Sequence, residues 1–169
     1  GGNTGKFAFK CLQYNEKIIM AIADLPGQLE MAKQNAEEKN LSQRMIFVET
    51  NLLDENNLLP KGYDAIWLSQ FLDCFSEDEI VSILKRCAEA IENDAYIFIL
   101  EPFWDRQRFE TSAFCLIMTS LYFTAIANGN SRMYTSGIFY SLIEKSGLKV
   151  EKSYDGIGVG HTLLQCRKK

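Results

Sequence analysis

Short β-branched apolar runs alternate with amphipathic stretches along this chain, and that alternation most constrains how it can fold. Residues 17–23 (KIIMAIA), 44–48 (RMIFV) and 64–68 (DAIWL) each read as a strand buried on both faces, as strands of a parallel sheet are. Residues 95–100 (AYIFIL) supply the next strand, and the runs at 148–154 and 161–166 have the alternation and position of a closing hairpin. Between these runs lie helical patterns. Over 76–91, Ile80, Ile83, Leu84, Cys87, Ala88 and Ile91 recur at helical spacing, and Ser76 with Glu79 is placed as a capping box. Pro26 introduces a weaker amphipathic helix over 28–39, and 136–145 is bounded by a capping hydroxyl and by Gly147. Strands alternating with helices predict an α/β fold: a mostly parallel sheet with helices on both faces and an antiparallel C-terminal hairpin.

A chain of 169 residues, 47% hydrophobic and 24% charged, has the size of one domain (1–169) with a sizeable core. Its formal net charge of -4 offers no basic field for a phosphate backbone, so nucleic acid is not an expected partner. The five cysteines (Cys11, Cys74, Cys87, Cys115, Cys166) form no C-x-x-C pair, and with a single histidine, His161, no metal site can be assembled from spacing. They read as reduced thiols, which points to a cytoplasmic setting. The apolar stretch 113–127 falls short of the ~20 residues a bilayer span needs. It reads as a buried helix or an interface, with no membrane partner expected.

The chain opens on Gly1-Gly2-Asn3-Thr4-Gly5-Lys6. A glycine turn leading into a helix lets backbone approach a ligand closely and offers unpaired N–H groups to it. The phosphate-loop reading fails, since three residues separate Gly1 from Gly5 and Phe7 follows Lys6. Asp24, at the end of the next strand, is placed to take both hydroxyls of a ribose, so loop and acid together imply an adenosine-containing ligand. Such a loop normally follows a buried strand. The expectation is therefore that a first strand precedes Gly1 in a longer parent protein.

These motifs, in order, resemble those of the small-molecule O-methyltransferases of the plant caffeate and bacterial type. Gly1-Gly2-Asn3-Thr4-Gly5 is similar to the cofactor loop, Asp24-Leu25-Pro26 to the family's Asp-Leu-Pro, and Glu49-Thr50-Asn51-Leu52-Leu53 to its Gly-Gly-Asp-Met-Phe. Leu72-Asp73-Cys74-Phe75-Ser76-Glu77 lies where the family has Leu-His-Asp-Trp-Ser-Asp, Glu101 ends a strand at an acidic family position, and Ser131-Arg132-Met133-Tyr134-Thr135 resembles the Glu-Arg-Thr segment. The resemblance implies a Rossmann-like class I methyltransferase fold that binds S-adenosylmethionine and releases S-adenosylhomocysteine. Gly1, Gly2 and Gly5 would line the methionine part, Asp24 would bind the ribose, and Asn51 and Leu52 would flank the adenine; Leu25 and Ser69 would be further cofactor contacts. It also implies a small-molecule substrate, an N-terminal dimerisation domain, and a homodimer formed through that region and the helix around 108–127.

At the catalytic position the pattern departs from the family. Methyl transfer to a phenol needs a base, and the family's histidine is here Asp73, with Glu101 kept as an acid and Ser131 in place of a second glutamate. A carboxylate with a pKa near ~3.9 is a weak base toward a phenol near ~10, unless burial raises it. Three readings stay open: a methyltransferase using Asp73, Glu101 or positioning alone; a silent or repurposed binder of the cofactor; and an unrelated α/β protein such as a nucleotide-dependent oxidoreductase. Phe71, Phe75, Phe103 and Trp104 either sandwich a flat substrate or belong to the core. Arg132 either positions an anion or pairs with a surface acid. Cys74 reads as a small apolar filler.

Overall fold

The computed structural model describes residues 1–127 and 129–169. The chain divides into two compact units, Gly1–Asn57 and Leu58–Lys169.

In the first unit the order is α1 (Lys6–Tyr14), β1 (Met20–Asp24), α2 (Pro26–Glu38) and β2 (Met45–Glu49). The strands pair in parallel, with Met20 opposite Met45 and Asp24 opposite Glu49. Pro26 sits in the first turn of α2, where its missing N–H costs nothing. Leu29, Ala32 and Ala36 then face inward at helical spacing and meet Phe9 and Leu12 of α1 and Ile22 of β1 in one apolar cluster.

The second unit runs β3 (Tyr63–Ser69), α3 (Glu77–Ala90), β4 (Ile91–Glu101), α4 (Glu110–Tyr122), α5 (Ser136–Lys145), β5 (Leu148–Ile157) and β6 (His161–Lys168). Its sheet has the order β3-β4-β6-β5. β3 and β4 are parallel, whereas β6 is antiparallel to both β4 and β5, which is the expected closing hairpin. The capping box is present: Ser76 accepts from the Glu79 N–H, and the Glu79 carboxylate accepts from the Ser76 N–H at 2.8 Å. Ile80, Ile83, Leu84 and Cys87 of α3 and Phe139, Leu142 and Ile143 of α5 are buried. β4 alternates, with Ala95, Ile97, Ile99 and Glu101 inward. Opposite them on β6, Cys166 faces Ile97, Leu164 faces Ile99 and Thr162 faces Glu101, all buried. Glu101 thus lies in an otherwise apolar row.

Two expectations need correction. The first three strands are not buried on both faces: Ile22, Met45 and Leu68 are the buried residues among them. The reason is topological, since β1 and β2 form a two-stranded sheet and β3 is an edge strand. For the apolar run 113–127 the buried-helix reading falls too, which leaves the interface reading. α4 begins at Glu110 and continues as a π turn, so that Glu110–Ala127 forms an 18-residue stretch of mean hydropathy 1.3, long and apolar enough by length and composition to cross a membrane, and none of it is buried. Phe114, Leu121, Tyr122 and Ile126 are exposed on it.

Candidate active site

In the first unit the glycine turn is tied along the end of β1. The Gly1 nitrogen donates to the Ala23 carbonyl at 2.8 Å, and the Asn3 N–H donates to Asp24 Oδ2 at 2.7 Å. Asp24 Oδ1 accepts from the Leu25 N–H at 2.8 Å. Each carboxylate oxygen therefore holds one backbone donor and keeps a lone pair for another. Asn3 at φ 49 and Gly5 at φ 85 adopt the left-handed conformation, which Gly and Asn reach at least cost. Two of the glycines are also demanded by packing. A Cβ on Gly2 would run into Ile22 Cγ2, and one on Gly5 would lie 2.8 Å from Phe9 Cζ. The N-cap of α1 is Gly5, which brings no side chain to close the start of the helix.

Beside this turn the Thr50 N–H donates to the Asp24 carbonyl at 3.0 Å, which sets the residues after β2 next to those after β1. Asn51 is exposed, and its side-chain oxygen accepts from the Leu53 N–H at 3.0 Å. The oxygen expected to meet an adenine amino group is thus already engaged in a turn and has one lone pair left. Leu52 is half-buried. The Thr50 hydroxyl is buried with no hydrogen-bond partner, a feature that its place at a glycine of the family motif did not single out.

In the second unit β3 ends at Ser69, which is exposed. Gln70 follows at φ 44, a left-handed conformation costing ~1–2 kcal/mol for a residue of this kind. Its N–H donates to the Leu100 carbonyl at 2.9 Å, and the turn then aims the N–H groups of Phe71 and Leu72 at Glu101 Oε1, each at 2.9 Å. The second oxygen, Glu101 Oε2, is buried with no partner. Burial first, then the nearby Asp73 charge, pushes the Glu101 carboxyl up to about 8. Asp73 sits in the 3-10 turn Leu72–Cys74, half-buried, and desolvation raises its carboxyl as well. Cys74 is not an apolar filler: it is exposed, and its Sγ lies 3.6 Å from Asp73 Oδ1. Burial and the Asp73 charge push its thiol up to about 11, which leaves it a proton donor rather than a nucleophile. His161 opens β6 and favours the charged form of Asp73.

The segment after α4 packs on this turn. The Arg132 N–H donates to the Asp73 carbonyl at 2.9 Å, while its guanidinium pairs with Glu77 at 2.6 Å and lies over the Tyr134 ring, so it serves the surface acid and not an anionic ligand. Tyr134 donates its hydroxyl to the Phe75 carbonyl at 2.7 Å. The four aromatics divide. Phe103 is core, its ring tilted against that of Phe139 at 5.2 Å; Phe71 and Phe75 pair edge to face at 4.9 Å. Trp104 lines an open apolar cavity of about 390 Å³ with Ile117, Ser120, Leu121, Thr124 and Met133. Among the described residues no group of three His, Cys, Asp or Glu side chains could hold a metal ion.

Residues 1–149 match the O-methyltransferase domain. The chain belongs to that family. It is 24% identical to the O-methyltransferase SfmM3 of Streptomyces lavendulae, over 98% of this chain and 49% of that protein. It is also 24% identical to the mitomycin biosynthesis 6-O-methyltransferase of the same organism, over 90% and 41%. Among solved structures, the mitomycin 7-O-methyltransferase MmcR matches with a TM-score of 0.86 at 21% identity, covering 100% of this chain and 47% of that one. NcsB1 from neocarzinostatin biosynthesis, solved with S-adenosylmethionine and 2-hydroxy-5-methyl naphthoic acid, matches at 0.83 and 20%, covering 100% and 47%. This O-methyltransferase-family chain spans about half the length of these relatives or less.

Proposed function

We propose that this chain is the cofactor-binding and catalytic part of an S-adenosylmethionine-dependent methyltransferase. Its acceptor is a hydroxyl, or an amine, of a small aromatic molecule. Bound S-adenosylmethionine would supply a methyl group made electrophilic by its positive sulfur. The first unit fits such a ligand: Asp24 keeps an acceptor lone pair on each oxygen for a ribose, the start of α1 has no side-chain cap, and Gly2 and Gly5 keep the turn free of side chains. Asn51 and Leu52 would border the adenine, and Leu25 would add a contact.

The observation that carries catalysis is Glu101 at the end of β4, buried and bonded to the turn that carries Asp73. Burial moves the Asp73 carboxyl toward the range in which it can share an acceptor's proton. The cavity beside Trp104 is apolar and walled by an aromatic ring, which suits a flat acceptor. The exposed apolar face of α4 suits a second copy of the chain in a homodimer, and a cytoplasmic location fits the unpaired cysteines. Aspartate in place of the family histidine favours a second reading, a domain that binds the cofactor without transferring its methyl group.

Calorimetric titration of the full chain with S-adenosylmethionine and S-adenosylhomocysteine, followed by radiolabelled transfer to catechol and 2-aminophenol, tests both readings. Transfer that falls by ~10²–10⁴ in Asp73→Asn with binding retained supports the enzyme. Binding with no transfer to any phenol or amine leaves the silent binder, and no binding of either nucleoside removes both.

A further inference from the structure

We propose that Glu101 and Asp73 work as a one-proton pair, in which Glu101 is a neutral carboxylic acid that positions the turn after β3 and Asp73 is the carboxylate that takes the acceptor's proton. Asp73's part rests on the methyl-transfer reading, whereas the state of Glu101 stands on this chain alone.

The wiring of Glu101 is one-sided. The Phe71 and Leu72 N–H groups both reach Oε1, the Asp73 backbone also favours the charged form more weakly, and Oε2 is enclosed without a hydrogen-bond partner. The residue is 2% exposed on the same face of β4 as Ile97 and Ile99. An ionised carboxylate there would hold part of its charge in apolar surroundings with nothing to stabilise it, whereas a proton on Oε2 removes that charge. Asp73 is close enough for each carboxylate to disfavour the other's ionised form, and two such groups in one site resist ionising together.

Which of the two keeps the charge follows from their neighbours. Asp73 is only half-buried, receives the Cys74 thiol, and has His161 from β6 favouring its charged form. Across the sheet Glu101 meets the neutral Thr162. From the segment after α4 come Ser131, whose hydroxyl donates to the Cys74 carbonyl at 3.4 Å, and Arg132, whose guanidinium is held by Glu77. In the transfer step the acceptor oxygen gives its proton to Asp73 as it takes the methyl group. The electron pair of the carbon–sulfur bond stays on sulfur, and Asp73 then releases the proton to solvent.

Infrared difference spectra between the wild type and Glu101→Gln test this on the full chain without cofactor. Glutamine keeps an oxygen for both backbone donors and a neutral group in the place of Oε2. The expected result is a protonated-carboxyl stretch near neutral pH, absent from Glu101→Gln and lost from the wild type as pH rises past about 8. In Asp73→Asn the same band should titrate out at lower pH, because the second charge is gone. With cofactor and acceptor, Glu101→Gln should stay within about tenfold of wild-type turnover and lose the alkaline limb of the pH profile, while Glu101→Ala, which frees both backbone donors, falls by ~10²-fold. A band present in a chain that transfers no methyl group keeps the pair and removes the reading above. Absence of the band, an unmoved titration in Asp73→Asn, or a loss in Glu101→Gln as deep as in Asp73→Asn overturns the proposal.

Discussion

Asp24 and Glu101 each end a parallel strand and each receive two backbone N–H groups, yet they are wired differently. Asp24 takes one donor on each oxygen and is half-buried. Glu101 takes both on Oε1 and encloses Oε2. The first arrangement leaves a carboxylate able to accept from a ligand; the second makes a group whose charge the fold disfavours. The two helix starts differ in the same sense: α3 closes its N-terminus with Ser76 and Glu79, whereas α1 starts at Gly5 with no side-chain cap. What a carboxylate or a helix end can do depends on whether the protein has already used its hydrogen-bonding capacity.

The contrast breaks first, and by the largest effect, in the pH dependence of stability. The folded-state pKa of Glu101 is raised, so its contribution is fully present below the unfolded value of about 4.5 and is lost as pH rises through about 8. Relative to Glu101→Gln, the wild type should therefore lose on the order of a few kcal/mol between these limits in urea melts. A constant difference would mean that Glu101 behaves as an ordinary carboxylate.

Asp24→Ala sharpens the other side of the comparison: calorimetry should show S-adenosylmethionine affinity falling by ~10- to 100-fold, the loss of hydrogen bonds to a charged group. Gly2→Ala should destabilise the chain by ~1–3 kcal/mol in thermal melts, because the added methyl meets Ile22 inside the first unit. An effect on cofactor affinity with no change in stability would assign Gly2 to the ligand instead. Smallest is Ser76→Ala, expected to cost ~1 kcal/mol by opening the cap of α3.

Much of the fold was legible where a pattern is local. The apolar spacing and capping box of α3, the proline start of α2 and the hairpin of β5 and β6 follow from short-range chemistry, and the structure has them in place. The burial of β1, β2 and β3 was misread because an apolar run records a strand but not whether neighbours cover both its faces. For the same reason the apolar run of α4 left a buried helix and an interface both open, and within this chain it is exposed.

By itself the sequence determined the element order and the glycine turn followed by Asp24, and the resemblance it carries singled out Asp73 and Glu101 as candidates. Tertiary structure alone decided the character of those two carboxylates. Their behaviour depends on the left-handed Gln70 that turns two N–H groups onto one oxygen, on the inward row of β4 that buries the other, and on His161, 88 residues along the chain from Asp73, which favours the charged form of Asp73. Desolvation and charge coupling act through space, and spacing along a chain does not encode them.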